Sequence, residues 1–168
     1  MNFFLGVIAG TPLWVWAILA LIVVLGGRAM RPSTVAPLRV AILPAVSTVI
    51  ALSILAFSSR LAVAAPAFAC GAAAGAVIGA FWANRLAIEP RPDQGVIAMP
   101  GTAFWLVFGL GFFLTRYVLT VYLVLHRELS GQFPWTALPY GLNGIAMGMA
   151  LGWLGAILWR YRRSVRVA

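Results

Sequence analysis

The chain of 168 residues has no lysine, only three acidic residues and a single cysteine. Charged residues make up 9% of it, whereas a soluble domain usually has about 25%. Hydrophobic residues make up 63%. Because a domain of this size cannot hide that much apolar surface from water, these proportions exclude an ordinary soluble domain. The single cysteine, Cys70, excludes an internal disulfide and a cysteine-based metal cluster.

Apolar stretches long enough to cross a bilayer recur along the chain. A membrane helix needs about 20 mostly apolar residues. Five stretches meet this requirement: residues 11–28, 39–57, 62–84, 103–126 and 137–160. We therefore expect a single integral membrane domain, residues 1–168, that folds as an all-α polytopic transmembrane bundle of about five helices.

The arginines are distributed unevenly between the two sides that five spans define. Arg60 and Arg127 would lie on one side. The other side would hold nine arginines: Arg28, Arg31, Arg39, Arg85, Arg91, Arg160, Arg162, Arg163 and Arg166. The positive-inside rule assigns the arginine-rich side to the cytoplasm, which predicts an N-terminus outside and a C-terminus inside. The exclusive use of arginine, with frequent alanine, indicates a GC-rich bacterial genome and hence a bacterial inner membrane. We interpret the charge as membrane orientation rather than nucleic-acid binding.

One loop, residues 85–101, contains short β-compatible runs. Residues 86–89 and 95–99 flank a proline-interrupted turn at 90–94. This pattern predicts a small cytoplasmic β-hairpin. Thr102 follows the loop and is placed to cap the fourth helix, as Thr11 is placed to cap the first.

The third and fifth spans match at a shift of 73 residues, which carries Pro66 onto Pro139. Both spans run in the same direction, so the repeat is parallel. Glycine at every fourth position lets another backbone approach closely in lipid. The alternative is chance, since the chain has 17 glycines. We predict GxxxG packing, inside the bundle or across a homo-oligomer, for the six glycines that the shift superposes: Gly71, Gly75 and Gly79 on Gly144, Gly148 and Gly152.

Arg116 is the most deeply placed charged residue. It lies 14 residues beyond Thr102, about 21 Å along the fourth span and in the outer half of the membrane. A charge at that depth costs about 2.5–3.5 kcal/mol to insert, so it usually faces the bundle interior or water. Ser53, Cys70 and Asn143 fall near the same level, and Thr120 lies one turn along from Arg116 on the same helix face. These positions predict a polar ligand-binding cluster of Arg116, Thr120, Asn143 and Ser53. In the alternative, Arg116 extends outward along a lipid-facing groove.

Patterns that support catalysis are missing from the sequence. It has no glycine-rich phosphate loop, no Ser/His/Asp set and no carboxylate pair at catalytic spacing. His126 is the only histidine, and we interpret it as an interfacial residue at a helix end. We therefore expect no catalytic residue, no metal site and no cofactor.

Several segments resemble known membrane proteins. Residues 11–16 (TPLWVW) open the first span, residues 95–102 (GVIAMPGT) form the loop, Arg116-Tyr117 lies in the fourth span, and Gly144, Gly148 and Gly152 line the fifth. Together these resemble an uncharacterised family of small bacterial five-helix inner-membrane proteins, which implies the same fold and location. A fainter similarity is to CcdC-type membrane proteins, which are associated with cytochrome c biogenesis and imply a redox role.

Three functions remain open from the sequence. The leading hypothesis is a non-enzymatic integral membrane protein that acts by binding or assembly, for example as an accessory subunit. The alternatives are a small transporter or channel with Arg116 as an anion contact, and an accessory factor in cytochrome or redox assembly. The expected partners are the bilayer, anionic lipids at the arginine-rich cytoplasmic face, and a second copy or another membrane protein. No nucleic-acid partner is expected.

Overall fold

The computed structural model describes residues 10–91, 96–129 and 131–167, and within them it has five α-helices and one three-stranded sheet. The helices are α1 Leu13–Ala29, α2 Pro37–Ala56, α3 Leu61–Arg85, α4 Phe104–Leu125 and α5 Phe133–Val167. The strands are β1 Ser33–Val35, β2 Glu89–Arg91 and β3 Val96–Met99. The predicted all-α bundle is therefore confirmed, and each predicted span falls on one helix.

The helices have the length and surface of membrane spans. Four of them, α2 to α5, are long and apolar enough to cross a bilayer, and α1 is a shorter apolar helix of 17 residues. Large apolar side chains cover the outside of the bundle, with Val77 and Phe133 each 71% exposed. Such a surface is suited to lipid and not to water. The chain is a multi-pass membrane protein.

The bundle is built around the contact between α3 and α5. Helix α2 packs on α5 and α1 packs on α4, whereas α1 and α2 scarcely touch although they are consecutive. Helices α1 and α4 are antiparallel, because Gly26 near the end of α1 lies against Leu106 near the start of α4. At the other end, Thr11 precedes α1 and meets Tyr117 of α4.

Of the two threonines predicted as helix caps, Thr102 makes a capping-type hydrogen bond at the start of its helix, whereas Thr11 contacts another helix. The N-cap positions belong to Pro12 of α1 and Ala103 of α4, and neither makes a side-chain cap hydrogen bond. The hydroxyl of Thr102 accepts a hydrogen bond of 3.2 Å from the backbone N–H of Phe104. The hydroxyl of Thr11 shares a hydrogen bond of 2.7 Å with the Tyr117 hydroxyl, so it joins α1 to α4 instead of capping α1.

The sheet is antiparallel, with strand order β1–β3–β2. The predicted hairpin is confirmed as β2–β3, but its first strand lies later than predicted, because Pro90 and Arg91 belong to the strand and not to the turn. Proline is accommodated here since β2 is an edge strand. Residues 92–95, which include most of the predicted turn, lie outside the described residues. Strand β1 was not predicted, because three residues are too few for a periodic pattern.

A small hydrophobic core lies where the sheet meets the last turns of α5. Ile97 of β3 is 0% exposed and Ile157 of α5 is 1% exposed. Val40, Ala83 and Trp153 complete the contact from α2, α3 and α5. Helix α5 has 35 residues, about 52 Å, whereas the hydrocarbon layer is about 30 Å thick. Its C-terminal turns therefore continue beyond the lipid core.

Candidate functional site

An apolar cavity separates the α1–α4 pair from α2 and α5. Its volume is about 530 Å³, within the usual range for small-molecule sites of about 300–1,000 Å³. Leu25 of α1, Leu43 of α2, Phe108 of α4 and Ala150 of α5 form its walls, and Met99 of β3 lies at the sheet end. The cavity exists because consecutive helices α1 and α2 pack on different partners and leave a gap between them.

The gap between α1 and α2 opens sideways. Leu25 and Leu43 both line the cavity, and they are 42% and 60% exposed. Because α1 and α2 are both apolar membrane helices, the gap between them leads into the hydrocarbon of the bilayer. A molecule dissolved in the bilayer can therefore reach the cavity without crossing water.

Polar groups are concentrated at the sheet end of the cavity. Arg39 is the only charged residue among the described lining residues, and it lies in the first turn of α2. Ser33 of β1 and Thr102 line the same end. The Arg39 side chain is exposed and forms no hydrogen bond or ion pair with another described residue. The cavity thus has an apolar body and a cationic end.

Other arginines are held by backbone carbonyls. Arg60 donates to the carbonyl of Gly131 at 3.2 Å. Arg160 of α5 donates to the carbonyls of Leu86 at 2.8 Å and Ala83 at 3.2 Å, at the end of α3. Those carbonyls form the negative end of the α3 dipole, which a cation stabilises. This role of Arg160 could not be predicted from the sequence, because its acceptors lie on the backbone of another element.

The predicted polar cluster does not form one network. Arg116 is half-buried and donates to the carbonyl of Pro139 in α5 at 3.3 Å. Thr120 and Ser53 are exposed, and each hydroxyl donates to a carbonyl of its own helix, at Arg116 and Val49. Within the described part of the chain, no hydrogen bond joins the side chains of Arg116, Thr120, Asn143 and Ser53 to one another. Arg116 instead links α4 to the α5 backbone.

Asn143 lies beyond the end of the cavity that is farther from the sheet. It is 9% exposed, and its side-chain nitrogen has no hydrogen-bond partner among the described residues. Three residues of α5 that line the cavity share a helix face with Asn143: Ala146, Ala150 and Trp153. Asn143 is not a lining residue itself, and it lies one turn before Ala146, toward the start of α5.

The six glycines of the two ridges lie in the contact between α3 and α5. A Cβ added to Gly75 would collide with the backbone carbonyl of Ile145, and one added to Gly148 would collide with that of Ala72. Ile145 lies three residues before Gly148, and Ala72 lies three residues before Gly75. The contacts that each helix makes with the other are therefore equivalent. The 73-residue shift therefore corresponds to a parallel, nearly symmetric helix pair inside the chain. Their packing role stays a prediction until substitutions test it.

The remaining candidate for chemistry is His126. Its ring stacks on Tyr122 with 4.4 Å between ring centroids, and Tyr122 also packs on Trp135. This aromatic group lies at the end of the bundle opposite the sheet. Among the residues that the structure describes, no three His, Cys, Asp or Glu side chains are grouped to hold a metal ion.

The chain matches no protein-family model, no curated protein and no solved structure. The resemblance noted from the sequence therefore adds no residue roles. What the cavity can bind follows from its own shape and chemistry: an apolar body, a lateral opening and a cationic end.

Proposed function

We propose that this protein is a non-enzymatic membrane protein that holds the hydrocarbon chain of a bilayer lipid in the cavity between α1, α2, α4 and α5. The observation that carries the proposal is the cavity of about 530 Å³ with apolar walls and a lateral opening between α1 and α2. An apolar cavity left empty forfeits dispersion contacts along its whole lining. A lipid chain supplies those contacts and is present in the bilayer at high concentration.

The test uses a phosphatidylcholine with a photoactivatable diazirine in its acyl chain, in nanodiscs that hold the purified protein. We expect cross-links to Trp105 and Phe108 of α4, which line the cavity. Ala146→Phe, which fills the cavity, should reduce these cross-links at least fivefold, whereas Ala73→Phe on the exposed surface of α3 should leave them unchanged. Equal cross-linking in both variants, or none in the wild-type protein, would show that the cavity holds no chain.

We also propose that the protein lies in a bacterial inner membrane with its N-terminus outside and its C-terminus in the cytoplasm. The arginine distribution along the sequence supports this orientation. The contacts of the sheet support it as well, because they join the segment after α1, the loop after α3 and the last turns of α5 at one end of the bundle. These are the three segments that carry most of the arginines.

A further inference from the structure

We infer that the lipid in this cavity is anionic and that its phosphate lies beside Arg39. The inference rests on the proposed function, because it names the class of lipid whose chain the cavity holds. The arginines of the chain differ in their contacts. Arg60, Arg116 and Arg160 donate hydrogen bonds to backbone carbonyls, whereas Arg39 lines the cavity and makes no such bond to a described residue.

The groups around Arg39 suit an anion. No acidic residue is among the described residues that line the cavity. Arg39 lies in the first turn of α2, where the positive end of the helix dipole adds to its charge. Arg28 and Arg31 are exposed at the nearby end of α1 and extend the positive potential around the same end of the cavity. A zwitterionic headgroup would bring its own cation into this field, which an anionic headgroup does not.

Hydroxyl groups provide further donors at the same end. Ser33 and Thr102 both line the cavity. The Thr102 hydroxyl oxygen already accepts a hydrogen bond from the N–H of Phe104, and its O–H is available as a donor. A phosphate diester has only acceptor oxygens, so an arginine with two hydroxyls matches it.

The position of Arg39 also favours a lipid over a free phosphate ion. The charged group lies at one end of a continuous apolar cavity, and Ala146 and Ile157, which both line it, are 11 residues apart on α5, or about 16 Å. A lipid that places one chain in the apolar part of the cavity and its anionic headgroup beside Arg39 matches both ends of the cavity. A free ion would contact only the charged end and leave the apolar part unfilled.

The test compares two diazirine lipids with identical chains, phosphatidylglycerol and phosphatidylcholine, in nanodiscs that hold the full-length protein. We expect wild-type protein to cross-link phosphatidylglycerol at Trp105 and Phe108 about fivefold more than phosphatidylcholine, which is the effect of one arginine at a membrane surface. Arg39→Gln should reduce this preference to less than about twofold. Arg39→Lys should retain part of it, because the charge is kept. Arg31→Gln removes an exposed arginine that does not line the cavity, so it is the matched control and should lower the preference much less than Arg39→Gln does.

The outcomes separate the inference from the proposed function. If both lipids cross-link equally in wild-type protein, or if Arg31→Gln lowers the preference as much as Arg39→Gln, the assignment to Arg39 is wrong while chain binding stands. If neither lipid cross-links at the cavity, the proposed function has failed as well. Added glycerol 3-phosphate should not compete with phosphatidylglycerol. Competition at millimolar concentration would mean that the site binds a soluble phosphate and not a lipid.

Discussion

At the scale of single residues, the sequence indicated where charges lie but not what they contact. The depth of Arg116 followed from counting residues along its span, yet its partner is a backbone carbonyl of α5 and not a side chain. Arg160 was grouped with the other arginines of the C-terminal segment, although it binds the end of α3. Backbone carbonyls carry no residue signature, so such contacts are invisible until the fold brings the elements together.

Arg160→Gln should destabilise the protein. The change removes charge-assisted hydrogen bonds to the carbonyls of Ala83 and Leu86, each of which contributes about 1.5–3 kcal/mol in favourable cases. We expect a loss of about 1–3 kcal/mol on unfolding in detergent, since Arg160 is only half-buried. Arg162→Gln, at an exposed position two residues along, is the control and should change stability by less than about 0.5 kcal/mol. Similar effects for both variants would mean that Arg160 acts only through charge.

Arg116→Gln should weaken the contact between α4 and α5. Glutamine is too short to keep the hydrogen bond to Pro139, and polar contacts between membrane helices contribute about 0.6–2 kcal/mol. The cost of placing the Arg116 charge in the membrane is the same in the folded protein and in the unfolded chain that is already inserted. Removing the charge therefore does not offset the lost hydrogen bond. Thr115→Ala removes a hydroxyl that bonds only within α4 and serves as the control. A midpoint of thermal unfolding that is unchanged or raised by Arg116→Gln would contradict the packing role.

At the scale of elements, the sequence predicted the helices well because each has a long apolar run of its own. The glycine ridges were also readable, since their four-residue spacing is local to one helix. Strand β1 was not predictable, because it forms only by pairing with β3. The paired residues are 62 positions apart at Val35–Ile97 and 66 apart at Ser33–Met99. An element whose own sequence has a clear local pattern can thus be predicted. An element that forms only by pairing with a distant segment cannot.

Gly75→Leu should disrupt the pair formed by α3 and α5. Its side chain would meet the backbone of Ile145, which cannot move aside as a flexible side chain can. We expect a loss of about 3 kcal/mol or more, with a lower thermal midpoint in detergent. Gly155→Leu is the matched control, because an added Cβ at Gly155 has open space around it. Equal stability of the two variants would show that the ridges are not a close contact.

Ile97→Ala should loosen the sheet from the last turns of α5. Ile97 is fully buried, and truncating a buried isoleucine costs about 2–5 kcal/mol. Ile78→Ala on the lipid-facing side of α3 removes the same atoms from a side chain that is 47% exposed, so it should cost much less. Hydrogen exchange of the backbone amides of β1 and β3 would show the difference directly. Unchanged protection in Ile97→Ala would contradict the packing of the sheet on α5.

At the scale of the whole molecule, the arrangement of helices creates a feature that no segment contains. The cavity depends on α1 packing on α4 while α2 packs on α5. Residues from four helices and the sheet line it, and their apolar character matches that of any membrane helix. Composition therefore predicted a membrane protein with a helical bundle. It did not predict the cavity or the position of Arg39 at its end.

The orientation of the whole molecule follows from charge and can be measured with two fusions. With nine arginines on the sheet side and two on the other, the positive-inside rule retains the sheet end in the cytoplasm. Alkaline phosphatase is active only outside the cytoplasm, so its fusion after Ala168 should be inactive. The same enzyme fused after Gly131, between α4 and α5 at the opposite end of the bundle, should be active. A fluorescent protein that matures only in the cytoplasm should give the reverse pattern at the same two sites. An active phosphatase after Ala168 would show that the orientation is the opposite one. The anionic headgroup at Arg39 would then come from the outer leaflet.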